Sequence, residues 1–388
     1  MSLTTPLGFR AAGLSAGLRR NGSPDLAVIV NDGPQHAAAG VFTTNRVVAA
    51  PVVWSRQVLT DHRARAVVVN SACANACTGQ QGLADARAEA TRVGALLGCA
   101  PEEVVVASTG IIGQPMPMDR VGAGIDSAVA ALGRGAEVDE AVARAIMTTD
   151  TRPKQASVTI DGVTIAGIAK GAGMLAPQLA TMLVFLTTDA LVDGPELQDG
   201  LAEASSLTFS RVDSDACMST NDSVVALASG ASGRRLGAEQ WRQGVHEVCA
   251  DLARQLVADA EGSHHDVLVR VDGATTTEAA LAVAREVTRS NLVKTAIAGN
   301  DPNWGRILAA VGCVPAEIAP FDPDEVDVAV NGVMVCRGGG IGQDRSLVDM
   351  TPREVHIDIH LAAGSAQGHL WTNDLTHEYV EENSAYTS

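Results

Sequence analysis

The chain has 388 residues, enough for two or three domains and a large core. Apolar residues make up 46% and aromatics only 3%, so that core is to be built from Ala, Val, Leu and Ile. A formal net charge of −17 argues against an electrostatic nucleic-acid partner, which needs a basic face.

Short β-rich runs separated by turns fill the first hundred residues: "LAVIVN", "AGVFTT", "PVVWS", "RAVVVN" and then "EVVVAS" at 103–108. Between the last two, "GLADARAEATRVGALLG" has the helical period and good helix formers. Further helices are expected at 119–132 and 138–147. "ASVTIDGVTIAGIAKG" reads as a hairpin, with Asp161-Gly162 the favoured two-residue turn between alternating apolar positions. Helices are expected at 196–207, 238–260 and 276–289. The tail returns to strands in "DVLVRVDG", "VDVAVNG", "VMVCRGGG" and "REVHIDIHLAAG". The mixed order favours α/β layers over a regular βαβ winding. Gly230–Gly237 and Pro315–Asp324 are the candidate boundaries. They divide the chain into 1–235, 236–314 and 315–388.

From Gly162 to Thr188 the one charged residue is Lys170. Four glycines, Pro177, Gln178 and the lysine argue for a segment buried in a soluble protein rather than a membrane span. Lysine is rare here, with Lys154, Lys170 and Lys294 only, so one inside an apolar run is informative. The seven cysteines form no CxxC pair, and the N-terminus lacks the features of a secretory signal. A cytoplasmic protein with reduced thiols, without a membrane partner, is expected.

Several signals for standard chemistry fail. "RGGGIGQDRS" does not fit a dinucleotide fingerprint and reads as a loop, and no GxxxxGK[ST] or GxSxG occurs. His264-His265 and the pair His356 and His360 lack further ligands, so no metal is expected. Thr181 remains. A threonine hydroxyl is a weak nucleophile without a base beside it. As the first residue of a chain, however, it could use its own α-amine. The Thr181 hydroxyl would then attack the Ala180 carbonyl and cut the bond before itself, although a buried threonine in such a run can equally be core. Thr109 and Gly110, at the end of the strand in "ASTGIIG", could form an oxyanion hole or a plain turn.

The motifs "STGIIG", "AIMTTDTRPK", "AKGAGMLAPQLATMLVFLTTDA", "STNDSV", "DAEG", "DPNWGR", "NDLT" and "YVEENSAYTS" follow one another along the chain. Together they closely resemble the ornithine acetyltransferase family, also called glutamate N-acetyltransferase, of the cyclic arginine pathway. The resemblance runs from "GFRAAG" to the last residue. It implies a layered α-β-β-α sandwich around a cleavage site, with smaller C-terminal α/β domains. It implies self-cleavage between Ala180 and Thr181 into α and β chains that stay together as a heterotetramer of two of each, or larger. Thr181 would carry acetyl from N-acetylornithine to glutamate in a ping-pong scheme, with Thr109 and Gly110 as the oxyanion pair. Thr148, Lys170, Thr181, Glu261, Asn383 and Ser388 match the family's substrate contacts. Lys170 can pair a carboxylate, and Glu261 and the terminal carboxylate can hold an ammonium. No cofactor is implied, although acetyl-CoA could serve as a second donor, and a related self-processing hydrolase is the competing activity. One departure stands out: many relatives carry Thr-Lys shortly after "EG", where this chain has Ser263 followed by His264-His265.

Overall fold

A computed structural model describes residues 2–176 and 182–385, so the expected sites Ala180, Thr181 and Ser388 lie outside the described residues. Three sheets form among the described residues. The first runs Phe9–Leu14, Leu26–Asn31, Ala66–Asn70, Val104–Ser108, with only the last pair parallel. The second runs Ala37–Phe42, Ser223–Ala228, Leu183–Thr188, Val163–Lys170, Lys154–Ile160, with Ser223–Ala228 and Leu183–Thr188 parallel. The third runs Gly340–Ile341, Val333–Arg337, Asp327–Val330, Glu354–His360, Asp266–Ala274, Ala366–Asn373.

Side-chain alternation along each strand explains the layering. In the second sheet Ile168, Phe185, Val225 and Leu227 join one core with Val28, Val67 and Val105 of the first sheet. Their neighbours Ala169, Val184, Leu186, Val224 and Ala226 join a different core, with Leu201, Trp241 and Leu252 of the covering helices. Helices Gly79–Leu97 and Met118–Ala130 cover the outer face of the first sheet, and Gly194–Leu207 and Ala238–Val257 cover that of the second. The order is therefore helix, sheet, sheet, helix. A strand covered on both faces reads as a continuous apolar run. That accounts for the apolar runs of Val163–Lys170 and Leu183–Thr188, the second buried along its whole length. No helix among the described residues is long and apolar enough to cross a membrane.

The hairpin forms as expected: Asp161 (φ 48°) and Gly162 (φ 77°) both take the left-handed conformation of a tight hairpin turn. "PVVWS" does not form a strand. It lies in the helix Ala50–Val58, with Pro51 in the first turn, where a missing N–H costs nothing. Tertiary contacts override the β-branched run. Trp54 Nε1 donates to Val104 O (3.0 Å), and Ser55 Oγ donates to Val106 O (2.7 Å) while accepting from Val106 N (2.9 Å).

The sheets divide the chain elsewhere than at 235 and 314. Helix Ala238–Val257 packs on the second sheet, and its core reaches Ala260. Strands from Asp266–Ala274 to Ala366–Asn373 then share one sheet and one core, so 236–314 and 315–388 are not separate bodies.

Asn221 fastens the two sandwich sheets at one end. It precedes the strand Ser223–Ala228, yet its Nδ2 donates to Ala74 O (2.6 Å) and Ser108 O (2.8 Å) on the first-sheet side. Replacing it by leucine leaves two buried carbonyls without a donor. Asn221→Leu is expected to cost about 2 kcal/mol or more, read as a lower urea midpoint with an unchanged slope.

Candidate active site

At the end of the sandwich held by Asn221 lies a cavity of about 1040 Å³. Thr109, Gly110, Thr148, Glu261 and Asn383, far apart in sequence, all line it. Arg19, Arg20, Asp215 and Tyr379 line it as well.

Thr109 and Gly110 follow directly on the strand Val104–Ser108. The Thr109 N–H is used by Asn70 O (3.0 Å), which continues the ladder for one more residue. At Gly110 the chain turns away with φ 126°, and a Cβ there would lie 2.4 Å from the Ala72 carbonyl carbon and oxygen. Only glycine fits. Among the described residues no acceptor takes the Gly110 N–H, which leaves it available to the cavity. A hydroxyl and an N–H side by side on a cavity wall are what a developing oxyanion requires.

Beneath Thr148 lies a buried charge network. The Lys154 ammonium is fully buried and donates to Asp150 Oδ1 (2.6 Å) and Asp259 Oδ2 (2.5 Å). Asp150 also accepts from Gly171 N at Oδ1 (2.6 Å) and from Thr148 N at Oδ2 (2.9 Å). Burial alone would raise the Asp150 carboxyl, but Lys170, Lys154 and the Gly171 N–H outweigh it and hold the group below its ordinary value. Lys170 is 1% exposed and is not on the cavity wall; its Nζ donates to Thr109 Oγ1 at 3.4 Å. Burial lowers its pKa, opposed by the Asp150 and Asp222 carboxylates.

Two acidic groups, Glu261 and Asp215, line the cavity as well. Asn383 Nδ2, on the C-terminal helix His377–Ala385, donates to Glu261 Oε2 (2.9 Å). A Cβ on Gly173 would lie 2.4 Å from that same oxygen, so any side chain there would have to displace the Glu261 carboxylate. Asp215 Oδ2 accepts from Met174 N (2.5 Å), which holds Met174 at φ 58°. Burial pushes the Asp215 carboxyl up to about 6 despite that N–H. Beyond the undescribed residues 177–181, Met182 N donates to Asp222 Oδ1 (3.2 Å). Burial raises the Asp222 carboxyl well above its ordinary value, with the Met182 N–H and Lys170 acting against it.

Asp150, Asp222 and Asn221 stand inside quoted motifs, but partners up to 147 residues away give them their roles. Asp215 and Arg19 carried no sequence signal. The departure after "EG" is structural in part. The His264 and His265 N–H groups donate to Asp374 Oδ1 (2.9 and 3.0 Å), and the buried His265 ring pairs with Asp374 Oδ2 (2.8 Å). His356 and His360 pair with Glu354 and Asp272, and no metal-binding cluster forms among the described residues.

The pattern of the ArgJ family matches residues 10–388. The chain belongs to the ArgJ family. Its relatives include proteins named arginine biosynthesis bifunctional protein ArgJ from Bifidobacterium longum, 54% identical over 391 residues, and Streptomyces avermitilis, 54% identical over 388 residues; each match covers 100% of both chains. A solved structure titled ornithine acetyltransferase complexed with ornithine, from Mycobacterium tuberculosis, is 48% identical, with a TM-score of 0.45. It covers 47% of this chain and 96% of that one.

The network beneath Thr148 predicts a specific cost. Lys154→Met would strand two carboxylates in the interior and is expected to destabilise the fold by about 3–5 kcal/mol, measured by urea unfolding at neutral pH.

Proposed function

We propose that the chain, an acyltransferase of arginine biosynthesis, moves acetyl from N2-acetyl-L-ornithine to L-glutamate through an ester on Thr181. The observation that carries this reading is the pairing, on one cavity wall, of the Thr109 hydroxyl with a Gly110 N–H that no acceptor among the described residues takes, in a chain of the ArgJ family. In the first step the Thr181 hydroxyl oxygen attacks the acetyl carbonyl. The oxyanion is held by Thr109 and Gly110, the C–N bond breaks, and ornithine leaves with the hydroxyl proton on its amine. In the second step the glutamate α-amine attacks the ester, the C–O bond breaks, and the Thr181 hydroxyl takes back a proton. The α-amine of Thr181, freed by cleavage after Ala180, serves as the base. The chemistry balances without a metal or prosthetic group.

Glu261 and Asp215, with Asn383 held beside Glu261, suit a substrate ammonium. Thr148, on the same cavity wall, also holds the substrate. Cleavage would leave the fragments together, because they share the second sheet. Ala37–Phe42, Lys154–Ile160 and Val163–Lys170 come from one, and Leu183–Thr188 and Ser223–Ala228 from the other. A pair of each fragment per assembly, and a cytoplasmic setting for the seven free cysteines, complete the reading. The word "bifunctional" in the relatives' names favours acetyl-CoA as a second donor.

Two measurements test the reading. Purified protein is expected to give two fragments meeting at Ala180/Thr181, and Thr181→Ala a single uncut chain. With N-acetylornithine, acetylglutamate is expected only when glutamate is present. Free acetate released equally fast with and without glutamate would make the protein a hydrolase instead.

A further inference from the structure

The contact between Lys170 and Thr109 crosses the sandwich. Lys170 ends the strand Val163–Lys170 of the second sheet, and Thr109 follows the last strand of the first. An ammonium offers three N–H donors and no acceptor, whereas a threonine hydroxyl offers one proton and two lone pairs. At 3.4 Å the Lys170 Nζ can only donate, so Thr109 Oγ1 must present a lone pair to it. The hydroxyl proton then points elsewhere. Thr109 lines the cavity, and among the described residues nothing accepts that proton.

Lys170 is itself held from two sides. Its backbone pairs with Leu183, the second residue after Thr181, and the next residue, Gly171, donates its N–H to Asp150 Oδ1 at 2.6 Å. Asp150 and Asp222 supply the opposite charge around the buried amine, while Lys154 and Arg19 are the like charges near it. Asp150 also holds the Thr148 N–H, so one carboxylate sets the height of the substrate wall and of the lysine behind it.

We propose that Lys170 is a positioning residue for the oxyanion hole: its ammonium fills the inward lone pair of Thr109 Oγ1, which commits the hydroxyl proton to the oxyanion, and Asp150 fixes the ammonium in that place. A hydroxyl accepting from a cation is also a stronger donor, because the two bonds polarise the same O–H. The inference rests on the acetyl-transfer reading. It differs from a direct substrate contact in requiring Thr109 as the intermediary.

A double-mutant cycle separates the two, read as kcat and KM for acetylglutamate formation on cleaved enzyme. The cleavage rate after Ala180 is read in the same way for any variant that stays uncut. Lys170→Met in wild type is expected to lower kcat about a hundredfold with little change in KM, the scale of losing an oxyanion donor. In a Thr109→Val background the same change is expected to cost less than about threefold, because there is no hydroxyl left to orient. In a Thr109→Ser background, which keeps the hydroxyl, the full loss should return. Should Lys170→Met not fold, Lys170→Leu, which also lacks a donor, carries the same cycle. Equal losses in the wild-type and Thr109→Val backgrounds, or a loss confined to KM, would overturn the proposal. Wild-type enzyme that makes no acetylglutamate fails the acetyl-transfer reading itself, before the cycle is run.

Discussion

The site depends on one buried carboxylate. Asp150 accepts from the Lys154 ammonium and from the Thr148 and Gly171 N–H groups, all within 2.9 Å. Removing two charges from water costs several kcal/mol per ion, and their attraction recovers that only when the remaining lone pairs are satisfied. Here they are satisfied by backbone groups of the loops that build the site. The penalty for any other arrangement is therefore a penalty on moving Thr148 or Gly171. All three lysines of the chain are buried, while the exposed cations are arginines. Lys294 follows the same rule: burial pushes it down to about 8 against the pull of Asp215 and Asp213. In this protein lysine marks the places where a compact charge is locked into the interior.

The second constraint is that no single sheet holds the site. Thr109 and Gly110 stand at the end of the first sheet, Lys170 and Asp222 on the second, and Glu261 and Asn383 on the segments that lead into and out of the third. Asn221 joins the first two, and Asp374 ties the turn after Glu261 to the end of the chain. The strand that begins just after Thr181 is buried between two neighbours, with Met182 fixed by Asp222.

Local signals in the sequence were readable where local physics governs. The Asp161-Gly162 turn, the amphipathic helices and three of the four strands of the first sheet follow from spacing and turn chemistry, while Phe9–Leu14 carried no strand signal. "PVVWS" was misread because its helix is set by Trp54 and Ser55 reaching the backbone of a strand some fifty residues away. The same limit applies to the site. Lys170 stood out as a charge in an apolar run, yet only the fold shows it behind Thr109 rather than on the cavity wall. Thr109 and Gly110 stood out at a strand end, Thr148, Glu261 and Asn383 were named through family resemblance, and the fold brings all five to one cavity. The roles of Asp150, Asn221 and Asp222 come from partners distant in sequence, which no local pattern encodes.

The central claim is that acetyl passes through Thr181. The direct measurement is peptide mass mapping after acid quench of cleaved enzyme given N-acetylornithine with an isotopically labelled acetyl group and no glutamate. The account predicts one labelled acetyl on the peptide that begins at Thr181, discharged into acetylglutamate when glutamate is added. Labelled acetylglutamate formed with Thr181 never acetylated, or acetyl carried on a different residue, would contradict it.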